Sequence, residues 1–508
     1  MKTQWIIIPF LVILTLGCQN AQTETKEYAD PPNIIIVLAD DLGYGDVGAF
    51  NPQSKIRTPA LDSIARAGMI FTDAHTSSSV CTPTRYSLLT GRYNWRSTLK
   101  RGVLRGDSPP LIPKDRLTLA ALLDSAGYHT AFIGKWHLGW DWAKDEHGAI
   151  DFSKPIQNGP NSIGFDYSFG HIASLDIPPY VYVENHMPTA VPMERTANED
   201  YQGFWRDGLT APDFVHEEVT PNFFRRSMQY IRERAEQPEP FFLYLALPSP
   251  HTPILPSAEW QGKSGLNPYG DFVMMVDHYM GQLNATLQAT GISDNTLLIF
   301  TSDNGCSPRA KFEELAEKRH QPSHIYRGHK ADIYEGGHRV PFIAKWPAVI
   351  PSKSHSGTTI CLTDLMATAA ELTGQALPEN AGEDSYSLVP LFEQQPGYQR
   401  TATVHHSIEG EFAIRQGDWK LALCPGSGGW SVPSPLDAGI DTLPPFQLFN
   451  LSVDPVEQNN LINQHAALAD SLKHLLTRYI EQGRSTPGPP QPNDGEYPRK
   501  QLDWMKKD

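Results

Sequence analysis

Cysteine is scarce in this chain: five in 508 residues, at Cys18, Cys81, Cys306, Cys361 and Cys424. So few, so widely spaced, do not make a disulfide framework, and no pair has the spacing of a zinc site. Basic charge is short as well. Lys and Arg number 42 against 57 Asp and Glu, a net charge of −15, which excludes the broad cationic surface that nucleic acid demands. Long apolar runs are missing too. The run from Ile6 to Leu14 is too short to span a bilayer comfortably. It follows Lys2 and precedes Leu16-Gly17-Cys18, the order of a bacterial signal peptide with Gly17-Cys18 in the place of a lipoprotein cleavage site. The expectation is an exported chain that loses residues 1–17 and is lipidated on Cys18, facing the periplasm or the cell surface, with plain secretion as the alternative. Contact with a membrane is expected only through that lipid.

What is present is a hydrophobic content of 40%, enough to fill substantial cores. Asn33-Ile34-Ile35-Ile36-Val37-Leu38-Ala39 is an unbroken apolar run, the pattern of a strand covered on both faces, and it stops at Asp40-Asp41. Thr58 to Gly68 reads as a helix with a cap, a proline in its first turn and a terminating glycine. The same grammar recurs along the chain. His129 to Gly134 runs into Lys135-Trp136-His137-Leu138-Gly139, Phe241 to Leu247 runs into Pro248 and on to His251, and Thr296 to Thr301 runs into Ser302-Asp303-Asn304-Gly305. A further helix is expected over Thr363–Gly374 and a strand over Val340–Lys345. Alternating buried strands and amphipathic helices predict an α/β fold, a large mostly parallel sheet sandwiched by helices over residues 31–398.

Beyond about Gln399 the pattern changes to short strands at Thr401–Val404, Glu411–Arg415, Trp419–Leu423 and Phe446–Asn450, then a helix over Ala466–Glu481. These predict a smaller C-terminal domain with an antiparallel sheet and a helix over residues 399–484, followed by a Pro-rich tail, 485–508, that is a strap or disordered. Between Gly139 and Pro221 the chain is rich in Gly, Pro and Asn and carries Trp140, Trp142, Tyr180, Tyr182, Tyr201 and Trp205 without sustained periodicity. Long loops of this kind wall binding sites, while the aromatics themselves read equally well as core packing.

Open α/β sheets place ligands at the carboxyl edge of their strands. Asp40, Asp41, Lys135, His137, His251, Asp303 and Asn304 are therefore expected to converge although they are far apart in sequence. Asp40, Asp41, Asp303 and Asn304 supply oxygens suited to a hard divalent cation. Lys135, His137, His251 and Lys330 supply charge and protons for a transferring oxyanion. Cys81 in Val80-Cys81-Thr82-Pro83-Thr84-Arg85 is delivered to a helix N-terminus, with Arg85 one turn on.

Cys81-Thr82-Pro83-Thr84-Arg85 with Ser87 and Thr90-Gly91-Arg92, joined by the Asp40-Asp41, Gly134-to-Gly139, His251 and Ser302-to-Gly305 stretches, resembles the formylglycine-dependent sulfatases of the alkaline-phosphatase-like superfamily. The resemblance implies that Cys81 is converted to formylglycine (3-oxoalanine) by a maturation enzyme. It implies one Ca²⁺ held by Asp40, Asp41, Asp303 and Asn304 and touching residue 81. Arg85 and Lys135, with His137 beside them, would orient the aldehyde hydrate, and His251 and Lys330 would contact the sulfate. Ser174 falls where the family has a further polar contact. The hydrate's one hydroxyl would attack sulfur and its other would expel sulfate by re-forming the aldehyde. The implied substrate is a sulfated carbohydrate. A phosphoester or phosphonate ester hydrolase of the same superfamily, and a non-catalytic glycan-binding lipoprotein with an unmodified Cys81, are the alternatives.

Overall fold

The structure is a computed structural model that describes residues 31–495 and 500–505. The expected signal peptide and Cys18 lie outside the described residues. Its centre is β1 (Asn33–Ala39), where Ile35, Val37 and Leu38 have no exposed surface. The strand can be apolar throughout because parallel partners flank it on both sides.

Ten strands form one mixed sheet. With β2 (Met69–Phe71), β3 (His129–Lys135), β4 (Tyr167–His171), β5 (Val183–Glu184), β6 (Met187–Pro188), β7 (Phe241–Ala246), β8 (Thr296–Ser302), β9 (Phe342–Lys345) and β10 (Ser354–Ser356), the order is β10-β2-β9-β8-β1-β7-β3-β4-β5-β6. The central five, β8-β1-β7-β3-β4, are parallel. Helices α1 (Pro59–Arg66), α2 (Cys81–Thr90), α3 (Leu119–Ser125), α4 (Val219–Arg234), α5 (Pro268–Ala289) and α6 (Leu365–Leu372) pack in two groups, α1 and α4 against α5, and α2 and α3 against α6. Two of them start with a side-chain cap. Thr118 accepts a hydrogen bond from the Ala121 N–H at 3.1 Å to cap α3, and Asn267 caps α5 ahead of Pro268 at its first position. Among the described residues no helix is long and apolar enough to cross a membrane.

One of the five central parallel strands escapes the sequence pattern. Tyr167-Ser168-Phe169-Gly170-His171 mixes polar and apolar residues, yet β4 pairs with β3 from Ala131↔Tyr167 to Lys135↔His171. Its Gly170 is required by the packing, since a Cβ there would stand 1.9 Å from the Gly134 carbonyl oxygen. The aromatics of the long insert divide as well. Trp140, Trp142, Tyr180 and Tyr182 are buried core, and only Tyr201 is exposed and Trp205 half-buried.

The smaller sheet is antiparallel, in the order β11 (Thr403–His406), β12 (Phe412–Gln416), β13 (Trp419–Ala422), β14 (Gln447–Asn450), with α7 (Ala466–Glu481) on one face. Its two-residue period sorts the faces. Phe412 and Ile414 pack with Leu472 and Leu476 of α7, whereas Ala413 between them joins Ile333 and Tyr334 of the large domain. Residues 485–495 form a strap that returns to the turn after α2. Asp494 accepts from Arg92 at 2.7 Å and the Asn493 side-chain oxygen from Arg96 at 2.9 Å.

A buried polar cluster fills the junction of the two sheets. Asp73 is paired with Arg339 and Arg415, Glu335 with Arg339 and Lys420, and Lys420 also with Glu457. Three histidines thread it. Lys420 Nζ lies 2.9 Å from His338 Nε2, His338 Nδ1 lies 3.0 Å from His75 Nδ1, and His75 Nε2 lies 2.8 Å from Asp73. The tautomers follow from these contacts: Lys420 donates to His338, His338 to His75, and His75 to Asp73. The third ring, His405, stacks on His338 with centroids 3.9 Å apart and has both nitrogens hydrogen-bonded, to the Thr76 carbonyl and to Thr403.

Candidate active site

The strand register brings the polar residues together. Ala39 of β1 lies opposite Ser302 of β8, and the Asp303 N–H donates to the Ala39 carbonyl at 3.0 Å, so the two strands end flush and set Asp40-Asp41 beside Asp303-Asn304. On the other side of β1, β7 ends against β3 at Ala246↔Gly134, which places Lys135 at the same edge. The chain turns sharply there. Asp41 (φ 64°), His137 (φ 54°) and Ala331 (φ 81°) all adopt left-handed backbone, a cost accepted mainly where a site over-determines the conformation.

Cys81 is delivered to this edge by α2. Val80 is extended at φ −144°, ψ 156°, the helix begins at Cys81, and Gly91 closes it in the left-handed conformation at φ 62°. Arg85, one turn on, is wholly buried and directed inward. Its Nε and Nη2 donate to Asp303 Oδ2 at 3.1 and 2.8 Å, and its Nη1 to the Lys135 carbonyl at 2.7 Å. The fork is therefore fixed from two directions before any ligand arrives. Lys135 is paired with Asp40. Lys330 Nζ donates to Asp41 at 2.8 Å, and His251 Nε2 stands 3.6 Å from the same carboxylate. The Lys330 segment is docked by its own backbone, the Ala331 N–H donating to the Ser79 carbonyl at 2.8 Å, two residues before Cys81.

Proximity shifts the ionisable groups apart. Burial raises Asp40, but Lys135, His251, Arg85 and Lys330 overcome that and hold its carboxyl far below the usual range. Burial and the charge of Asp40 push Asp303 up to about 7. Burial pushes the Cys81 thiol up as well, only partly offset by Lys135 and Lys330, so the thiol stays protonated. His137 falls well below its ordinary value through burial and the cations Lys135 and Arg85, and His251 falls through burial and Lys330. Both rings are neutral at pH 7.

The oxygen set fits a hard cation. Asp40 Oδ1 and Asn304 Oδ1 are buried and accept no hydrogen bond, and the ligand atoms of Asp40, Cys81 and Asp303 lie within 4.8 Å of one another. Buried acceptors left unpaired cost stability unless something else meets them, and a carboxylate and amide set points to Ca²⁺ or Mg²⁺ rather than zinc. Around it, most members have no exposure, while Lys330 and His251 reach 6% and 9%. The opening is on their side.

Two expected members make no hydrogen bond to the carboxylates, although His137 lies within reach of the charges of Lys135, Arg85 and Asp40. His137 donates from Nε2 to the Leu104 carbonyl at 3.0 Å, leaving Nδ1 buried without a partner, and it makes no hydrogen bond to the carboxylates. Ser174 is buried in a turn closed by the Ile177 N–H at 2.9 Å and has no hydrogen bond to the cluster. The structure also adds residues that sequence reading missed. Asp46 accepts from the Gly43 N–H at 2.7 Å, from Tyr269 and from His320 Nε2 at 2.8 Å, while Tyr269 also donates to the Asp41 carbonyl at 3.3 Å. This network holds the Asp40-Asp41 bend from behind. Its visible signal was an aspartate following two glycines, Gly43-Tyr44-Gly45-Asp46, a pattern that turns share.

A cluster of fixed cations, carboxylates and one helix-borne residue at the carboxyl edge of a mixed α/β sheet defines an ester hydrolase that works by positioning charge around a tetrahedral oxyanion. The chain belongs to the sulfatase family, whose model matches residues 32–375, and is a sulfuric ester hydrolase. It is 34% identical to an N-acetylgalactosamine-6-O-sulfatase of Bacteroides thetaiotaomicron over 92% of this chain and 97% of that protein. It is 32% identical to human arylsulfatase A over 93% of each. A solved sulfatase structure from work on glycosaminoglycan metabolism by Bacteroides thetaiotaomicron superposes with a TM-score of 0.77 at 33% identity, covering 89% of this chain and 99% of that one. The sandwich of helices and mixed sheet with its small antiparallel partner is thus the sulfatase fold.

Proposed function

We propose that this chain hydrolyses sulfate esters of a sulfated glycan through a formylglycine made from Cys81 and one Ca²⁺. The observation that carries the reading is the placement of Cys81: its Sγ shares a 4.8 Å sphere with Asp40 and Asp303 while burial keeps it a protonated thiol. A thiol in that state is a poor nucleophile. When bound, the aldehyde hydrate and the cation supply a nucleophilic hydroxyl and a centre that neutralises sulfate oxygens.

The chain's own residues do the rest. Arg85, pinned by Asp303 and the Lys135 carbonyl, sets a fixed positive charge one helical turn from residue 81. Lys135 and Lys330 fix positive charge at the inner and outer ends of the pocket, so the non-bridging oxygens meet preorganised cations. Protons for the leaving alcohol are carried at Lys330 Nζ. His251 Nδ1 donates to the Thr252 carbonyl, so its Nε2 faces the pocket as an acceptor that gains a proton when anionic sulfate enters beside it. His137 braces the Leu104 wall.

The B. thetaiotaomicron relative makes 6-O-sulfated N-acetylgalactosamine the first substrate to try. The N-terminal run supports export and a lipid on Cys18, tested by fractionating native protein with membranes. A maturation enzyme is required for the conversion. The deciding measurement is mass spectrometry of the Cys81 peptide from the native host together with sulfate release. We expect 3-oxoalanine at position 81, and no turnover by Cys81→Ala with an unchanged melting curve; only unmodified thiol in active protein refutes the assigned nucleophile.

A further inference from the structure

Lys330 reaches the active site on a loop that both domains hold. On the large-domain side, the Lys330 N–H donates to the Cys306 carbonyl at 3.0 Å and the Ala331 N–H to the Ser79 carbonyl. On the other side, the Ile408 N–H donates to the Ala331 carbonyl at 3.0 Å, and the Ile333 N–H donates to the Ser427 carbonyl at 2.8 Å. Ile408 and Ser427 lie in the β11–β12 and β13–β14 connections of the small sheet. The approach is so close that a Cβ on Gly429 would stand 2.4 Å from the Ala331 carbonyl oxygen.

Asp332, two residues after Lys330, closes this joint and has no exposed surface. One of its oxygens accepts from the Trp430 and Ser431 N–H groups at 2.8 and 3.0 Å. The other accepts from the His329 N–H at 3.0 Å and from the Ser431 hydroxyl. Among the described residues no lysine or arginine pairs with it, and His329 Nδ1 stands 3.6 Å away while donating to the Lys330 carbonyl at 2.9 Å. An aspartate that only capped its own turn would use N–H groups a few residues off. This one also takes donors 98 and 99 residues further along the chain, from the other domain.

We propose that Asp332 is a positioning residue through which the small domain sets the pose of Lys330, making that domain a working part of the reaction centre. The proposal rests on the reading of Lys330 as the group that meets sulfate and protonates the leaving alcohol. An ammonium on a flexible four-carbon stem stands where its backbone puts it, and here Asp41 receives it at 2.8 Å. A displacement of about 1 Å in such a group is enough to cost rate. Asp332→Asn breaks the clamp whichever way the amide turns, because both oxygens accept from backbone N–H groups and an NH₂ must then face one of them.

The test compares Asp332→Asn, Lys330→Ala and the double variant in full-length, matured enzyme, on 6-O-sulfated N-acetylgalactosamine and on 4-nitrophenyl sulfate. A sugar alcohol needs a proton to leave, and nitrophenolate does not. Asp332→Asn should lower kcat on the order of tenfold for the sugar ester and about threefold for the aryl ester, with KM within about twofold. It should add nothing in the Lys330→Ala background. Ser431→Ala, which removes only the hydroxyl from the clamp, should follow the same pattern with a smaller loss and serves in its place if Asp332→Asn does not fold. Unchanged kcat in folded Asp332→Asn, equal losses on both esters, or losses that multiply with Lys330→Ala overturn the proposal. A crystal structure of Asp332→Asn needs no turnover: Lys330 Nζ should stand out of hydrogen-bond reach of Asp41, and a retained contact overturns the proposal. Wild-type kcat in Lys330→Ala refutes the catalytic reading of Lys330 separately, and the crystal structure still decides whether Asp332 positions that side chain.

Discussion

Among the described residues, two buried clusters contain groups of carboxylates and imidazoles or thiol close enough to share a cation, and they are built to opposite ends. At the junction of the sheets, every ring nitrogen of His75, His338 and His405 has a partner, and Asp73 and Glu335 are each bracketed by arginine or lysine. At the carboxyl edge of the large sheet, Asp40 Oδ1 and Asn304 Oδ1 accept nothing, and Asp41 and His137 hold unfavourable backbone. Composition does not separate the two. Completion does: a lock uses up its hydrogen-bonding capacity internally, and a site keeps some for a visitor.

That contrast can be broken most forcefully at Asp303. Asp303→Asn should lower turnover by a factor on the order of 10³ and lower the bound metal measured by elemental analysis, since it removes a carboxylate from the incomplete cluster. Full metal content in that protein would mean that the unpaired oxygens are not a metal site. At the junction, Lys420→Met leaves Glu335 and Glu457 short of a counter-charge, and breaking a buried pair in this way costs about 3–5 kcal/mol. Its melting temperature should fall while metal content and kcat of the folded enzyme stay at wild-type values. Loss of metal with normal melting would reverse the assignment of the two clusters.

A gentler probe is pH. Burial holds His75, His338 and His405 below the ordinary 6.5, and for His75 it outweighs the adjacent Asp73 and Glu335. The unfolded chain takes up those protons first, so stability is complete above about pH 6.5 and declines on acidification, by up to about 1.4 kcal/mol per pH unit for each ring. Thermal melts between pH 8 and 5 should show this decline. A rise in stability over the same interval would make the imidazoles charged partners of Asp73 and Glu335 and the junction an ionic switch instead of a neutral lock.

What could be read in the sequence divides along the same line. Strands such as Asn33–Ala39 and Thr296–Ser302 announce themselves because a doubly covered strand must be apolar until it ends, and the residues at which it ends are the ones placed at the edge. Asp40, Asp41, Lys135, His251, Asp303 and Asn304 came together for that reason, while α2 brings Cys81 and Arg85 and a docked loop brings Lys330. Tyr167–His171 stayed hidden because close packing of Gly170 on Gly134, not apolar bulk, seats it. The junction cluster was invisible because His75, His338 and His405 come from three distant segments with no common spacing, joined by a bridge, a short helix and an edge strand. The insert's aromatics offered two readings, and Trp140, Trp142, Tyr180 and Tyr182 took the core.

The parallel order of the central strands also fixes a timetable. β1 emerges early in synthesis, but its partners β7 and β8 begin at Phe241 and Thr296, more than 200 residues later, and Asp303 with them. Until that length has been made, β7, β8 and Asp303 are not there to close over Cys81. At ribosomal speeds of about 5–20 residues per second, the segment around Cys81 waits for them on the order of ten seconds or more. The maturation enzyme proposed above would have that interval, and the topology of the sheet closes it.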